Sequence, residues 1–386
     1  MGREDRTYGQ WWDAEGPYVR VRLDELQRFG REAYQRVGAT ADDAEFLFAT
    51  NLDKALQGDH ARGLGKVPGI VRGARAGTFD LAAPVDVVRR RGATAVVDGG
   101  RTAFGRLVCR RGMELAIETA RTQGIAIVGA RASAELLTPF VTMASDAGMV
   151  GMALVQSVPT VAPLGGFRPL LGNAPLAIAV PAADRDAVVL DMSFTQSSAS
   201  GVLLAAAQGQ EVPPGCLLDE RGRPTTNARD FPDTDLIERT GGIAVRGTLT
   251  PLGNSHKGYA MVFMIGLLAS VLTDTSPPWD LDWNLEERGT YGTVLIAIDP
   301  EALNPNHPAS QVDAFVERVT SEPRLDGSDR ILYPGQRSQE LKRERRGDGT
   351  VTIPRTHLEA LQELATELDV PLDASVVAEH TPGGSS

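Results

Sequence analysis

Two short segments of this 386-residue chain combine cations with glycine in a way that could bind anions. In the first, His256, Lys257 and Gly258 stand directly before a strongly apolar stretch of helical length. Glycine permits close backbone approach, and the free N–H groups of a helix N-terminus favour anions. The pattern predicts a cradle for a pyrophosphate. The open alternative is an ordinary capped helix start with incidental charges.

The second segment is the glycine-rich loop at residues 58–66, which carries His60, Arg62 and Lys66. Such a cluster of cations could hold a substrate carboxylate, although a solvated loop is an equal alternative. Asp191 ends a short apolar run that predicts a buried strand. A carboxylate there can have a perturbed pKa and a catalytic role, or it can simply cap a helix.

The motifs of several other enzyme classes are missing from the sequence. Residues 98–105 lie between a predicted strand and a predicted helix, but their glycines do not have the spacing of a Rossmann fingerprint. The sequence contains no Walker A motif, no Gly-x-Ser-x-Gly and no His-Glu-x-x-His. The two cysteines, Cys109 and Cys216, are not in metal-ligand spacing. We therefore expect no metal site and no serine-hydrolase mechanism.

Composition narrows the possible partners and location. A net charge of −11 argues against nucleic-acid binding. The basic stretch at residues 342–346 is interpreted as a solvated helix face, with an edge that binds a cofactor phosphate as the alternative. We expect no membrane association, because no apolar run approaches the ~18–20 residues of a span and no signal peptide is visible. Two cysteines fit a reducing cytoplasm.

Strands alternate with helices along the chain, which predicts an α/β fold. Residues 1–22 are predicted to form an arm and residues 376–386 a frayed, disordered tail. Between them, short unbroken apolar runs predict strands and amphipathic or long apolar segments predict helices. The clearest predicted strands are 125–129, 150–155, 187–191 and 291–298, and the clearest helices are 23–36, 41–56, 107–123 and 257–273.

From about Leu23 to about Leu372 the chain resembles the malate/L-lactate dehydrogenase family of non-Rossmann NAD(P)H-dependent reductases. The matching pieces occur in the family's order and include Ala95-Val-Val-Asp-Gly99, Leu171-Gly-Asn-Ala-Pro175, Val189-Leu-Asp-Met192, Pro251-Leu-Gly253, His256-Lys-Gly-Tyr259 and Leu332-Tyr-Pro-Gly335. The resemblance implies a large, mostly antiparallel sheet that forms a non-Rossmann NAD(P)-binding domain at residues 111–299. Residues 23–110 with 300–375 would form a helical, substrate-binding domain.

The resemblance also implies a chemistry. Family members are homodimers that reduce a C=O or C=N bond beside a carboxylate with NADPH or NADH. Carried over to this chain, His256, Lys257 and Gly258 would hold the cofactor pyrophosphate. Gly172, Asn173 and Pro175 would lie near the nicotinamide. The substrate would be a small carboxylate such as a 2-oxo acid or a cyclic imino acid, bound by Arg62 and Lys66 with Asn173 beside them.

The chain departs from the family at the residues that should complete the reaction. The family's Asp-Ser-His-Gly-x-x-Arg becomes His60-Ala61-Arg62-Gly63-x-x-Lys66, so the proton-donor histidine is replaced by Arg62. Arginine stays protonated at pH 7 and is a poor general acid. We therefore expect His60 or a water to supply the proton, with Asp191 tuning it.

Three hypotheses follow. The first is a reductase with an altered pocket, acting as an imine or ketone reductase in a specialised biosynthetic pathway. The second keeps the enzyme and replaces the redox step by a cyclisation, condensation or isomerisation. The third is a non-catalytic homologue that binds a ligand.

Overall fold

The computed structural model describes residues 17–235, 244–281, 291–306 and 308–373, together with the backbone of residues 376–380. The main helices of this part are α1 (Leu23–Arg36), α2 (Ala41–Leu56), α3 (Val67–Arg75), α4 (Gly105–Gln123), α5 (Thr138–Asp146), α6 (Ala199–Gln208), α7 (His256–Thr273), α8 (Pro308–Thr320), α9 (Gln336–Gly347) and α10 (Arg355–Leu368). The strands are β1 (Tyr18–Arg22), β2 (Asp86–Arg91), β3 (Thr94–Asp98), β4 (Ile125–Ala130), β5 (Val150–Val155), β6 (Leu176–Val180), β7 (Val188–Met192), β8 (Leu217–Leu218), β9 (Pro224–Thr225), β10 (Thr248–Leu249), β11 (Thr293–Ile298), β12 (Thr350–Pro354) and β13 (Val376–His380).

The centre of the fold is a seven-stranded sheet with the order β2-β3-β4-β11-β5-β6-β7. Only the β3–β4 pair is parallel within it, so the predicted α/β fold with a mostly antiparallel sheet is confirmed. Strand β11 is the middle strand and pairs with β4 and β5 along its whole length. Because β11 lies far from β4 and β5 in the sequence, their pairing could not be predicted from neighbouring segments.

Helices cover both faces of this sheet because its central strands are apolar on both sides. On one face, Met113 of α4 and Phe140 of α5 pack against Val128 and Leu295. On the other face, α6 and α7 contribute a second core that includes Val202, Val262, Ile265, Ala269 and Val294. A third core lies among α1, α2, α10 and β12, with Phe29, Leu47, Leu361 and Val351 fully buried.

The predicted arm (residues 1–22) and the predicted disordered tail (residues 376–386) each contain a strand. Residues Tyr18–Arg22 pair with β12 on one side and with β13 on the other, forming a three-stranded sheet. The reason is a short alternation in which Val19 and Val21 are fully buried in the third core. Strand β13 likewise occupies the start of the predicted tail. The predicted boundary at residue 110 falls inside α4, and the two-domain division stays a prediction.

Helix α7 is the apolar helix that the sequence predicted at residues 257–273, and it begins one residue earlier. Its 18 residues have a mean hydropathy of 1.3, enough by length and composition to cross a membrane, so the expectation that no apolar segment has this length was wrong. About a third of the helix is buried, through residues such as Val262, Ile265 and Ala269. The other side exposes seven large apolar side chains: Met261, Phe263, Met264, Leu267, Leu268, Val271 and Leu272.

Candidate active site

A buried ion pair joins three elements at one edge of the large sheet. Lys54, in the last turn of α2, places its Nζ 3.6 Å from Oδ2 of Asp191 on β7. The same Nζ donates a hydrogen bond of 3.1 Å to Oγ1 of Thr138, the first residue of α5. The Thr138 hydroxyl in turn donates to Asp191. The side chains of Lys54 and Asp191 are only 8% and 14% exposed, so both charges lie largely out of solvent.

The environment of Asp191 keeps its carboxylate ionised. Burial by itself would raise the pKa of this carboxyl group. The charge of Lys54, the hydrogen bond from Thr138 and the charge of Arg62 outweigh burial and hold the pKa below its ordinary value. Asp191 also accepts a hydrogen bond of 3.2 Å from the backbone N of Thr138, so a side chain of β7 caps the start of α5. The capping and the charge-pairing interpretations of Asp191 therefore both describe it.

The glycine-rich loop brings Arg62 to this cluster. Its backbone is attached to α2, because the Asn51 side chain donates to the carbonyl oxygens of Arg62 and Gly63 at 2.9 and 3.2 Å. Arg62 Nε lies 2.6 Å from Oδ2 of Asp59, whose side chain is buried. The guanidinium remains about one-third exposed and acts electrostatically on Asp191. It can therefore face a ligand while its other side is held.

His60 and Lys66 point to a different neighbourhood. The His60 ring lies 5.2 Å from the Tyr18 ring and 6.5 Å from the His357 ring, between centroids. Burial, with the charges of His357 and Arg345, lowers the pKa of His60 to about 3. Burial and the nearby Lys66 lower the pKa of His357 to about 4. The charge of Lys66 thus acts on His357, and neither His60 nor Lys66 is among the groups that shift Asp191.

His357 lies in polar sequence surroundings near the start of α10, which are typical of a surface residue, but the structure places it against the glycine-rich loop. It packs so closely under the loop that a Cβ on Gly65 would lie 2.6 Å from its Nε2. Its Nδ1 is buried without a hydrogen-bond partner, as is Nδ1 of His60. The two rings therefore form a partly buried, neutral pair between the loop, β1 and α10.

The segment predicted to lie near the nicotinamide is adjacent to Asp191. In the register of β6 and β7, Ala177 pairs with Asp191. Residues 172–175, which directly precede β6, therefore lie at the same end of these two strands as Asp191. Ser157 Oγ accepts from the backbone N of Asn173 at 3.0 Å and donates to its Oδ1 at 2.6 Å. Gly172 is required by this packing, because a Cβ there would lie 2.5 Å from the Ser157 carbonyl oxygen. Pro175 connects this turn to β6.

Backbone hydrogen bonds link this segment to the start of α7. Phe194 N donates to the carbonyl of Asn173 at 3.3 Å, and Leu252 N donates to the carbonyl of Phe194 at 2.9 Å. The segment that carries Asn173, the segment that follows Asp191 and the segment that precedes His256 are therefore neighbours in the structure. Lys54 of α2 pairs with Asp191 at this edge, and the charge of Arg62 in the following loop acts on the same carboxylate.

The start of α7 exposes a histidine and a lysine. Ser255 is its N-cap and accepts from Gly258 N at 3.5 Å. Gly258 has a packing reason as well, since a Cβ would lie 2.2 Å from the Leu252 carbonyl oxygen. His256 and Lys257 are exposed beside the free end of an 18-residue helix. This arrangement fits an anionic phosphate group, because helix dipole and side-chain charge have the same sign there.

The basic stretch at 342–346 has a structural use that neither interpretation foresaw. Lys342 and Arg346 both pair with Asp53 of α2. Arg345 Nη1 donates to the carbonyl oxygens of Ala55 and Leu56 at 3.0 and 2.9 Å. These contacts attach α9 to the C-terminal end of α2, directly beside Lys54.

In the described ranges, no group of three or more His, Cys, Asp or Glu side chains could hold a metal ion.

Comparison with known proteins agrees with this architecture. Residues 21–362 match the malate/L-lactate dehydrogenase family. The chain is 32% identical over 361 residues to the L-sulfolactate dehydrogenase of Methanothermobacter thermautotrophicus, covering 92% of this chain and 99% of that protein. The chain belongs to the malate/L-lactate dehydrogenase family.

Two further relatives show the range of activities in the malate/L-lactate dehydrogenase family. A Δ1-pyrroline-2-carboxylate/Δ1-piperideine-2-carboxylate reductase of Pseudomonas putida is 29% identical over 351 residues, covering 90% of this chain and 97% of its own. The solved sulfolactate dehydrogenase of Methanocaldococcus jannaschii has a TM-score of 0.79 at 25% identity, covering 92% of this chain and 99% of its own. Members of the family are oxidoreductases, and its dehydrogenases use NAD(P). The resemblance stated from the sequence is confirmed.

Sequence reasoning missed Lys54 and Thr138, which complete the cluster around Asp191. A signal for Lys54 was available, because it lies three residues after Asn51 and seven after Leu47, on the buried face of α2. A lysine at such a position needs a partner in the interior. Thr138 gave no comparable signal. The assigned roles of His60, Arg62, Lys66 and Asp191 stay predictions.

Proposed function

We propose that this protein is an NAD(P)H-dependent reductase of a C=O or C=N bond next to a carboxylate. The observation that carries the proposal is the convergence of Lys54, Arg62 and an ionised Asp191 beside Asn173, in a chain of the malate/L-lactate dehydrogenase family. Cations there can bind a carboxylate, and an enclosed charged cluster can assist proton transfer. The departures from the family's loop motif support a specialised biosynthetic substrate.

The cofactor would be held at the start of α7 and along the neighbouring turn. The free backbone N–H groups of the helix, with exposed His256 and Lys257, would contact the pyrophosphate of NADPH or NADH. Gly258 lets the helix start pack closely, and Gly172, Asn173 and Pro175 would lie along the nicotinamide. When bound, the nicotinamide supplies a hydride. The residues of this chain supply binding, orientation and the proton.

The substrate is a small-molecule carboxylate, bound as an anion by Arg62. The Arg62 guanidinium is held on one side by Asp59 and is about one-third exposed on the other, which leaves a fixed fork toward a ligand. Such a fork suits a carboxylate better than a mobile ammonium does. Lys66 would join only if the loop turned, because its charge now acts on His357.

The protein would work as a homodimer in the cytoplasm. The exposed side of α7 supports a second copy as partner, because its seven large apolar side chains form a continuous helical surface. Monomers rarely expose contiguous apolar patches of that kind. Both cysteines are free and buried, which fits a reducing compartment.

A panel assay tests the proposed activity. Purified protein is mixed with NADH or NADPH and, separately, with oxaloacetate, sulfopyruvate, other 2-oxo acids and five- and six-membered cyclic imino acids. We expect loss of nicotinamide absorbance with at least one substrate and one cofactor. Product formation that needs no cofactor, with no oxidation across the panel, would overturn the reductase and favour a non-redox reaction. Ligand binding without any turnover would favour a binding protein.

A further inference from the structure

Reduction of a C=O or C=N bond needs a proton donor as well as a hydride. Within the described part of the chain, the proton-bearing side chains gathered at Asp191 are Lys54, Thr138 and Arg62. Arg62 keeps its proton, because a guanidinium is not deprotonated in proteins. His60 is neutral with a pKa of about 3, and its described ring contacts are Tyr18 and His357. Besides water, this leaves Lys54 and Thr138 as the groups of the cluster that could supply the proton.

The geometry of Lys54 suits that role. Its ammonium has three N–H donors, of which one donates to Thr138 Oγ1 at 3.1 Å, while the charge lies 3.6 Å from Asp191 Oδ2 as an ion pair. Thr138 also donates to Asp191, so the three side chains contact one another and hold the Lys54 nitrogen in place. The N–H groups that do not bond to Thr138 are the ones that would reach a ligand bound beside Asp191.

A purely structural explanation of the pair is weak on energetic grounds. Burying an ion pair gains little, and well-packed apolar residues in its place often give equal or greater stability. Here the pair is 8% and 14% exposed, and it joins α2, α5 and β7 beside the segment that carries Asn173. A lysine ammonium also carries protons that it can pass to a substrate, which a guanidinium does not. The position and the chemistry both favour proton transfer.

We propose that Lys54 is the general acid of the reduction, with Asp191 and Thr138 as positioning residues. This inference rests on the proposed reductase function. In the step, hydride addition to the carbon breaks the C=O or C=N π bond, and its electron pair moves to oxygen or nitrogen. That atom takes a proton from the Lys54 ammonium. The products are the hydroxy acid or amine, oxidised cofactor and a neutral lysine, which solvent reprotonates.

Three variants test the role of Lys54. Lys54→Arg keeps the charge beside Asp191 but cannot release a proton at neutral pH. Lys54→Ala removes the group and leaves space for a small amine. Lys342→Ala is the matched control, because it also removes a lysine that pairs with a carboxylate of α2, at Asp53. Circular dichroism and cofactor titration establish that each variant is folded and binds NAD(P)H.

The expected result separates kcat from binding. In Lys54→Arg and Lys54→Ala, kcat falls by about 100-fold or more while the cofactor Kd stays within about twofold. Methylamine or ethylamine raises kcat of Lys54→Ala at least about tenfold, and amines of different pKa shift its pH profile, as a general acid requires. Lys342→Ala keeps near wild-type kcat and shows no amine effect.

The outcomes that overturn the inference are distinct from those that overturn the function. Wild-type turnover together with an active, folded Lys54→Arg removes the role of Lys54 and leaves the reductase intact. Loss of kcat in folded Lys54→Ala without amine rescue assigns the lysine a structural role. Absence of wild-type turnover with both cofactors across the substrate panel removes the reductase, and the role of Lys54 with it.

Discussion

The ammonium of Lys54 and the carboxylate of Asp191 lie 3.6 Å apart although 137 positions separate them in the sequence. Each is fixed by its own element, Lys54 by the last turn of α2 and Asp191 by the end of β7. Thr138 bonds to both. Because the two charges compensate each other out of solvent, removing one leaves the other without a counter-charge.

Asp191→Asn should therefore destabilise the fold. The amide still accepts from Thr138 N, but the buried Lys54 loses its counter-ion, which typically costs about 3–5 kcal/mol of the free energy of unfolding. Urea denaturation followed by circular dichroism measures the change. Glu322→Gln is the control, because the Arg318–Glu322 pair is exposed and its loss should cost less than about 1 kcal/mol. Equal midpoints for wild type and Asp191→Asn would contradict the interpretation.

Lys257→Ala should weaken cofactor binding. Loss of an exposed cation at the start of α7 is expected to raise the Kd for NAD(P)H by tenfold or more, about 1.4 kcal/mol. Fluorescence titration gives the Kd, and Lys257→Arg should retain most of the affinity because it keeps the charge. An unchanged Kd in Lys257→Ala would show that the cradle lies elsewhere.

Arg62→Met should affect substrate binding more than turnover. A hydrogen bond to a charged group contributes about 1.5–3 kcal/mol, so KM for a carboxylate substrate should rise roughly 10- to 100-fold. Arg62→Lys should recover part of the loss, since a point charge replaces the fork. Steady-state kinetics separate the two constants. If KM stays constant while kcat collapses, Arg62 does not bind the substrate carboxylate.

Stability should fall on acidification because of the His60–His357 pair. Their pKa values are about 3 and about 4 in the folded chain, against 6.5 for an ordinary histidine. Below pH 6.5 these two imidazoles become protonated in the unfolded chain but stay neutral in the folded chain until the pH approaches 4. The free energy of unfolding is thus greatest above that pH and declines as the pH falls toward 4 and then 3, by up to about 1.4 kcal/mol per pH unit for each histidine.

The measurement is urea denaturation at several pH values between 6.5 and 4.5. His60→Gln removes one of the two titrating groups, so the slope of stability against pH should become shallower by one histidine's share. A wild-type slope equal to that of His60→Gln would remove the pair as the cause.

The apolar side of α7 should hold two copies together. Leu268→Glu combined with Val271→Glu introduces charges where the side chains are 38% and 67% exposed in one chain. Burying those charges in an interface is unfavourable, so the dimer should dissociate. Size-exclusion chromatography with light scattering reports the mass. Val319→Glu on α8 is the control, and a monomeric wild type would refute this interface.

The sequence by itself determined the elements whose signals are local. Short apolar runs predicted β4, β5, β7 and β11, and the long apolar segment predicted α7 to within one residue. Glycines beside cations identified the loop at 58–66 and the start of α7, because turn conformations and charge are written in adjacent residues. The family, and with it the mostly antiparallel sheet, followed from motifs in order along the chain.

Tertiary structure alone decided which of those residues meet. Strand β6 lies in a stretch dense in glycine and proline that gave no strand signal, and β12 and β13 both pair with β1 from the far end of the chain. His60 was predicted to be a site residue, yet its ring lies near His357, while the charge of Arg62 acts on Asp191. Lys54 entered the site only through the packing of α2 against α5 and β7. Contacts between distant segments depend on strand pairing and helix packing, which no local spacing in the sequence specifies.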